Sequence, residues 1–206
     1  MAEISDDSIG IDRFGEAHEA HFDRALREIK NGSKKTDWMW FVFPQIQGLG
    51  GSRNARIYAV QSIEMATELL RHEQFCRHLD QIVQEVRVQL NVSDRTIKSL
   101  MGSPDDQKLV SSLTLFAEVA SRLELSNLVQ NSTQILRRSR REGFRTCQAT
   151  EDFIRADDLG RLPEFIELLE SAQLLRRQEK GRHGRKESWN RYYGRYAPQV
   201  QRLLGI

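Results

Sequence analysis

Three groups of residues in this chain are suited to holding a charged, partly planar ligand. The first is Trp38-Met39-Trp40-Phe41-Val42-Phe43, ended by Pro44 and Gln45. Indole rings can wall a ligand pocket in which a few polar groups such as Gln45 fix orientation. The bland reading is that both tryptophans fill the core and find acceptors for their indole N–H groups. The second group is Gly48-Leu49-Gly50-Gly51-Ser52, followed by Arg53, Arg56 and Tyr58. Exposed backbone N–H groups beside guanidiniums suit a phosphate or carboxylate. The loop lacks the Gly-Lys-Ser/Thr of a Walker A sequence and is not a GxGxxG turn, so a plain loop before a helix capped by Ser52 is the simpler reading. The third group is Asp105, Lys108 and Ser112 on a helix whose apolar arc is wide, with Leu109, Leu113, Phe116 and Ala120 flanked by Leu115 and Val119. A lysine against such an arc must pair or reach out to water. An Asp105–Lys108 pair at the helix edge and a pocket-lining pair both satisfy that requirement. Ser111 and Thr114 are expected to pack or to bond to the preceding turn.

Other chemistries find little support. His18 with His21, and His72 with Cys76, make two half-sites without a full ligand set such as HExxH, so no metal is expected. Cys76 and Cys147 belong to no CxxC pattern, and no GxSxG elbow offers a nucleophile. No catalytic residue is assigned and no cofactor is expected. Arg137, Arg138, Arg140, Arg141 and Arg145, together with Arg182, Arg185, Lys186, Arg191 and Arg195 among Trp189, Tyr192, Tyr193 and Tyr196, mix cations with aromatics. Single-strand and RNA binders do the same, although no nucleic-acid motif accompanies the pattern. A solubilising tail, or one that docks on an acidic partner, is the plainer meaning.

The elements that must position these groups are helical. Apolar residues from Phe14 to Ile29 recur at helical spacing after Asp12, a suitable cap, and Asn31-Gly32 ends the run. Ser52 and Ser62 can cap short helices. Phe75, Leu79, Ile82, Val83, Val86 and Leu90 form one stripe over 73–90. A short helical turn, SDRTIKSLMG, follows. Ser103-Pro104-Asp105-Asp106 reads as a cap, a proline in the first turn and early acids that suit the helix dipole. Further helices are expected over 126–141 and 163–179. The expected fold class is all-α: a single compact helical domain with a C-terminal helical extension and a basic tail. The expected divisions are a flexible acidic N-terminus over 1–11, the domain over 12–150, the extension over 151–180 and the basic aromatic tail over 181–206. With 206 residues, 39% of them hydrophobic, and a net charge of only +2, the chain can bury one substantial core and is not broadly basic. No run is long enough to span a membrane and the acidic start is unlike a secretory signal, so a reducing cytoplasm is the expected setting.

The same stretches resemble a family of bacterial helical proteins, the domain of unknown function 1810 family, to which automatic naming sometimes gives the label calpastatin. The resemblance is carried by Arg13-Phe14 and Ala25-Leu26-Arg27-Glu28; by Trp38 through Gln45; by Gly48-Leu49-Gly50 with Ser52, Ala55 and Tyr58; and by Gly102-Ser103-Pro104-Asp105-Asp106 continuing through Lys108, Ser111, Ser112, Thr114 and Phe116. It covers roughly 12–150 and implies a mainly helical, intracellular bacterial protein with no established activity and no protease inhibition. This chain departs from the family pattern at Asp37, where histidine is usual, at His18, where glutamine is usual, and after about Thr150.

Two readings of function follow. In the first, Trp38, Trp40, Gln45, Ser52, Arg56, Tyr58, Asp105, Lys108 and Ser112 form a pocket for a small anionic ligand such as a nucleotide derivative. In the second, a helical interaction module binds protein or RNA through its basic C-terminal region. Deleting residues 181–206 and measuring RNA affinity against salt separates them. The first predicts no change, and the second a steep loss.

Overall fold

The computed structural model describes residues 6–92 and 94–160. Helix α1 (Asp6–Lys30) is followed by the single-turn α2 (Met39–Val42), β1 (Gln45–Ile46), α3 (Arg53–Ile57), β2 (Ala59–Val60), α4 (Ile63–Arg71) and α5 (Glu73–Leu90). Then come α6 (Ile97–Met101), α7 (Asp105–Arg122), α8 (Ser126–Arg141) and α9 (Gln148–Gly160). One compact, mostly helical unit runs to Ile154. The helix expected over 163–179 and the basic tail lie outside the described residues. Among the described residues no helix is long and apolar enough to cross a membrane.

Helix α7 is the centre of the unit. Its wide apolar arc predicts contact on most sides, and it packs against α4, α6, α8 and β1. Leu109, Val110, Leu113, Leu115, Phe116, Val119 and Ala120 are all buried. Local signals set most boundaries: Ser52 accepts from Ala55 N–H, Ser62 from Met65 N–H, and Thr96 forms a capping box with Ser99.

Three expectations change. The fold is not purely helical, because Gln45 pairs with Ala59 and Ile46 with Val60 in a two-stranded parallel ladder. Two residues per strand are too few to leave a periodic signature. Helix α1 begins at Asp6, upstream of the Asp12 cap, and Ile11 in this added length packs against the core. Helix α7 begins at Asp105 with Pro104 in the cap position and no side-chain cap bond, so Ser103 does not cap it.

The segment after α1 is held by one carboxylate. Gly32, at φ +79, turns the chain back, and Glu28 then receives four donors. They are Lys35 N–H at 2.7 Å, Thr36 N–H at 3.1 Å, the Thr36 hydroxyl at 2.6 Å and the Trp38 indole N–H at 2.7 Å. Burial pushes this carboxyl up, but the donated hydrogen bonds outweigh it and hold its pKa down at about 2. Trp38 is therefore fully buried and satisfied, with α2 starting beside it. Two histidines brace α2 from the other side. His18 Nδ1–H donates to Phe41 O at 3.0 Å, and its Nε2 meets His78 Nδ1 at 3.1 Å. Burial holds His18 neutral, with its pKa lowered to about 4.

Glu28→Gln removes the charge while keeping the shape. It is expected to lower unfolding stability by about 2 kcal/mol, read by urea denaturation, because charge-assisted hydrogen bonds are weakened together.

Candidate functional site

A cleft of about 910 Å³ opens where the tryptophan segment, the glycine loop and the start of α7 converge. Trp40 and Gln45 form one side, Leu49 to Ser52 with Ala55 a second, and Ser103 to Lys108, excluding Asp105, with Ser111 a third. The loop 142–147 between α8 and α9, and Lys98 of α6, close the remainder. The size suits a nucleotide-scale molecule, since ligand clefts usually run to several hundred Å³.

Trp40 is half-buried and Lys108 Nζ lies 5.0 Å from its ring centroid, a cation–π distance. The same ammonium donates to Asp105 Oδ1 at 2.5 Å. Lys34 Nζ meets the other oxygen of Asp105 at 2.5 Å, donates to Thr36 O at 2.7 Å and stands 5.0 Å from the Trp38 ring centroid. Burial alone would raise the Asp105 carboxyl, yet the hydrogen bonds and charges of Lys108 and Lys34 leave it below the ordinary carboxylate range. The side chains of Lys34 and Asp105 are only 6% and 15% exposed, so this is an ion pair largely removed from water. It bolts the loop that carries Trp38 to the start of α7.

The structure brings together four of the nine expected residues: Trp40, Gln45, Ser52 and Lys108. Asp105 adjoins them through Lys108. Ser52 spends its oxygen on Ala55 N–H, and Arg56 donates to Gly51 O at 2.8 Å, which stiffens the glycine loop from its outer side. Tyr58 sits in an aromatic cluster instead, edge-on to Phe14 and Phe41. Ser112 points into the protein, buried with no hydrogen-bond partner for its hydroxyl. Its neighbour Ser111 lines the cleft and bonds to Thr150 at 2.8 Å. Trp38 is core.

The histidine half-sites are used locally. His21 Nδ1 bonds to Ala17 O, and His72 caps α5 by accepting from Phe75 N–H. Among the described residues no group of three or more His, Cys, Asp or Glu is placed to hold a metal.

Several cleft residues lie outside the expected site, and the sequence reads Arg145 among them only as part of the basic run with Arg137 to Arg141. Lys98 and Arg145 add exposed cations, while Glu142 is occupied by Arg138 at 2.6 Å and by Ile97 N–H at 2.8 Å. Asp106, only 3% exposed, reads in the sequence as one of two early acids suiting a helix dipole, and nothing local separates it from Asp105.

A family model described as "Protein of unknown function (DUF1810)" matches residues 8–137. The chain is also similar to the conserved hypothetical protein Rv1873 from Mycobacterium tuberculosis. The crystal structure of that protein aligns at 36% identity and a TM-score of 0.54, over 61% of this chain and 84% of that one. No match was found among curated proteins. The family match takes in every cleft element except the loop 142–147.

The two anchored carboxylates give a pH test. Each has a folded pKa below its unfolded value, so its contribution is complete above the unfolded pKa and is lost as pH falls through the folded one. For Glu28 that window runs from about 4.5 down to about 2. Thermal unfolding of the wild type is expected to lose stability steadily across it. Glu28→Gln combined with Asp105→Asn, already less stable at pH 7, should show a shallower slope there.

Proposed function

This chain belongs to the DUF1810 family, and from that premise we propose that its cleft binds a small anionic ligand of the nucleotide-derivative class. The observation that carries the reading is the half-buried Trp40 ring at the cleft wall with the Lys108 ammonium 5.0 Å from its centroid. The buried Trp38 has a lysine at the same distance, so the contact alone marks no site. What sets Trp40 apart is that its ring is half-buried on the cleft wall, where a ligand reaches both groups. The arrangement offers an aromatic surface for a planar ring next to donors for an anion. An ammonium has three N–H donors, and Asp105 takes one of those on Lys108, which leaves two for a ligand. Lys98 and Arg145 add positive charge along the same cleft. Arg53 and Arg56 do not line it, which moves the anion site from the glycine loop toward α6, α7 and the 142–147 loop.

Interaction through a basic surface keeps one observation in its favour. Arg87, Arg137, Arg138 and Arg141 line a smaller groove of about 250 Å³ between α5 and α8. Guanidiniums grouped this way suit phosphate backbones or acidic protein segments.

The two readings part on ligand-induced stabilisation. With adenosine diphosphate as the probe, the wild type is expected to melt at a higher temperature in its presence, because a ligand that binds only the folded state stabilises it. Trp40→Ala and Lys108→Met should each weaken the probe's affinity by about tenfold. Lys108→Met leaves Asp105 paired with Lys34, so the fold survives to be measured. A wild type that no nucleotide, dinucleotide or sugar phosphate stabilises at millimolar concentration sinks the proposal.

A further inference from the structure

We infer that Asp106 and Gln45 form a donor-reading end of the cleft, which selects a ligand carrying the paired hydroxyls of a ribose rather than a bare polyphosphate. The inference rests on the ligand-binding reading above and specifies the substrate class for the same site.

Both residues are more than nine-tenths buried, Asp106 at 3% and Gln45 at 8% exposure, and both line the cleft. Asp106 accepts one hydrogen bond, from Gln107 N–H at 2.8 Å. Among the described residues no cation pairs with it. The lysine two residues on is committed to Asp105, and the exposed Lys98 and Arg145 share the cleft without bonding to Asp106. Gln45 donates its amide N–H to Phe43 O at 3.3 Å, which turns its amide oxygen into the second available acceptor.

Among the described residues the second Asp106 oxygen accepts no hydrogen bond within the protein and is not among the fully buried atoms, so it is open to donors from the cleft, water or a ligand alike. The dipole of α7 suits this acid, since Asp106 stands in the first turn. It offers no donor to the second oxygen. A phosphate cannot fill the role, because its own negative charge would be repelled. Hydroxyl or amino groups can, and a carboxylate accepts two hydrogen bonds from a vicinal diol without moving a proton. The cleft therefore carries both kinds of group, with Lys98, Lys108 and Arg145 supplying positive charge and Asp106 with Gln45 supplying acceptors. A ligand with phosphate at one end and a ribose diol at the other satisfies both. Inorganic pyrophosphate satisfies one.

The test is isothermal titration of the full chain with adenosine diphosphate, its 2′,3′-dideoxy counterpart and inorganic pyrophosphate. The wild type is expected to prefer adenosine diphosphate over the dideoxy compound by at least about tenfold, the size of a lost charge-assisted hydrogen bond. Asp106→Asn should erase that preference while binding pyrophosphate at least as well as before, since a like charge has gone. Equal wild-type affinity for the two nucleotides overturns the inference but leaves the ligand-binding reading intact, provided Trp40→Ala still weakens both. A preference that survives in Asp106→Asn equally overturns the assignment to this residue. Failure of all three probes to bind overturns this inference, while the ligand-binding reading falls only with the wider screen of nucleotides, dinucleotides and sugar phosphates. The wild-type comparison needs no variant, so a poorly folding Asp106→Asn does not spoil the test.

Discussion

One half-buried carboxylate, Glu28, decides where the tryptophan segment lies. Four donors converge on it, from Lys35, the backbone and hydroxyl of Thr36, and the Trp38 indole. Without that anchor, the stretch between Gly32 and Trp38 has no repeating structure to fix it. With it, Trp38 is pinned in the core, α2 starts at a defined place, and Trp40 emerges half-buried at the cleft. The hydrogen bonds that fold the loop back also outweigh desolvation and hold the carboxyl's pKa down at about 2.

The same loop delivers Lys34 to Asp105, and Asp105 holds Lys108 beside Trp40. Two walls of the cleft are thus joined by an ion network rather than by apolar packing alone. Such networks contribute little net stability compared with well-packed hydrophobic residues, but removing one member leaves a buried charge stranded. Here the network fixes register between the tryptophan segment and α7. That explains how a cationic side chain can stand against a wide apolar arc. Asp106, one residue on, lies outside the network, and its acceptor capacity is turned to the cleft.

Helices with caps and long stripes were legible from the residues alone. The 73–90 stripe, the Ser62 start and the 126–141 helix match their observed bounds. Sorting the site was harder, because adjacent residues of like type take opposite roles. Trp38 and Trp40 are two positions apart, a turn of about 200° in helical geometry, so the two rings cannot line one wall. Only knowledge that 39–42 is helical makes that readable. Ser111 and Ser112 divide in the same way, as do Asp105 and Asp106. Lys34 and the 142–147 loop left no local trace, because their roles depend on tertiary contacts far along the chain, and Glu28 left none because its donors follow it in a loop without a periodic pattern. The two-residue ladder of β1 and β2 is too short for any pattern.

The central claim is that Trp40 belongs to a ligand site and Trp38 to the framework. Indole N–H cross-peaks in a ¹H–¹⁵N spectrum report on the two rings separately once assigned by Trp40→Phe and Trp38→Phe. On titration with adenosine diphosphate, the Trp40 peak is expected to move progressively to saturation, while the Trp38 peak, held by Glu28, stays in place. A Trp40 peak that does not move while the nucleotide reaches millimolar concentration would contradict the account.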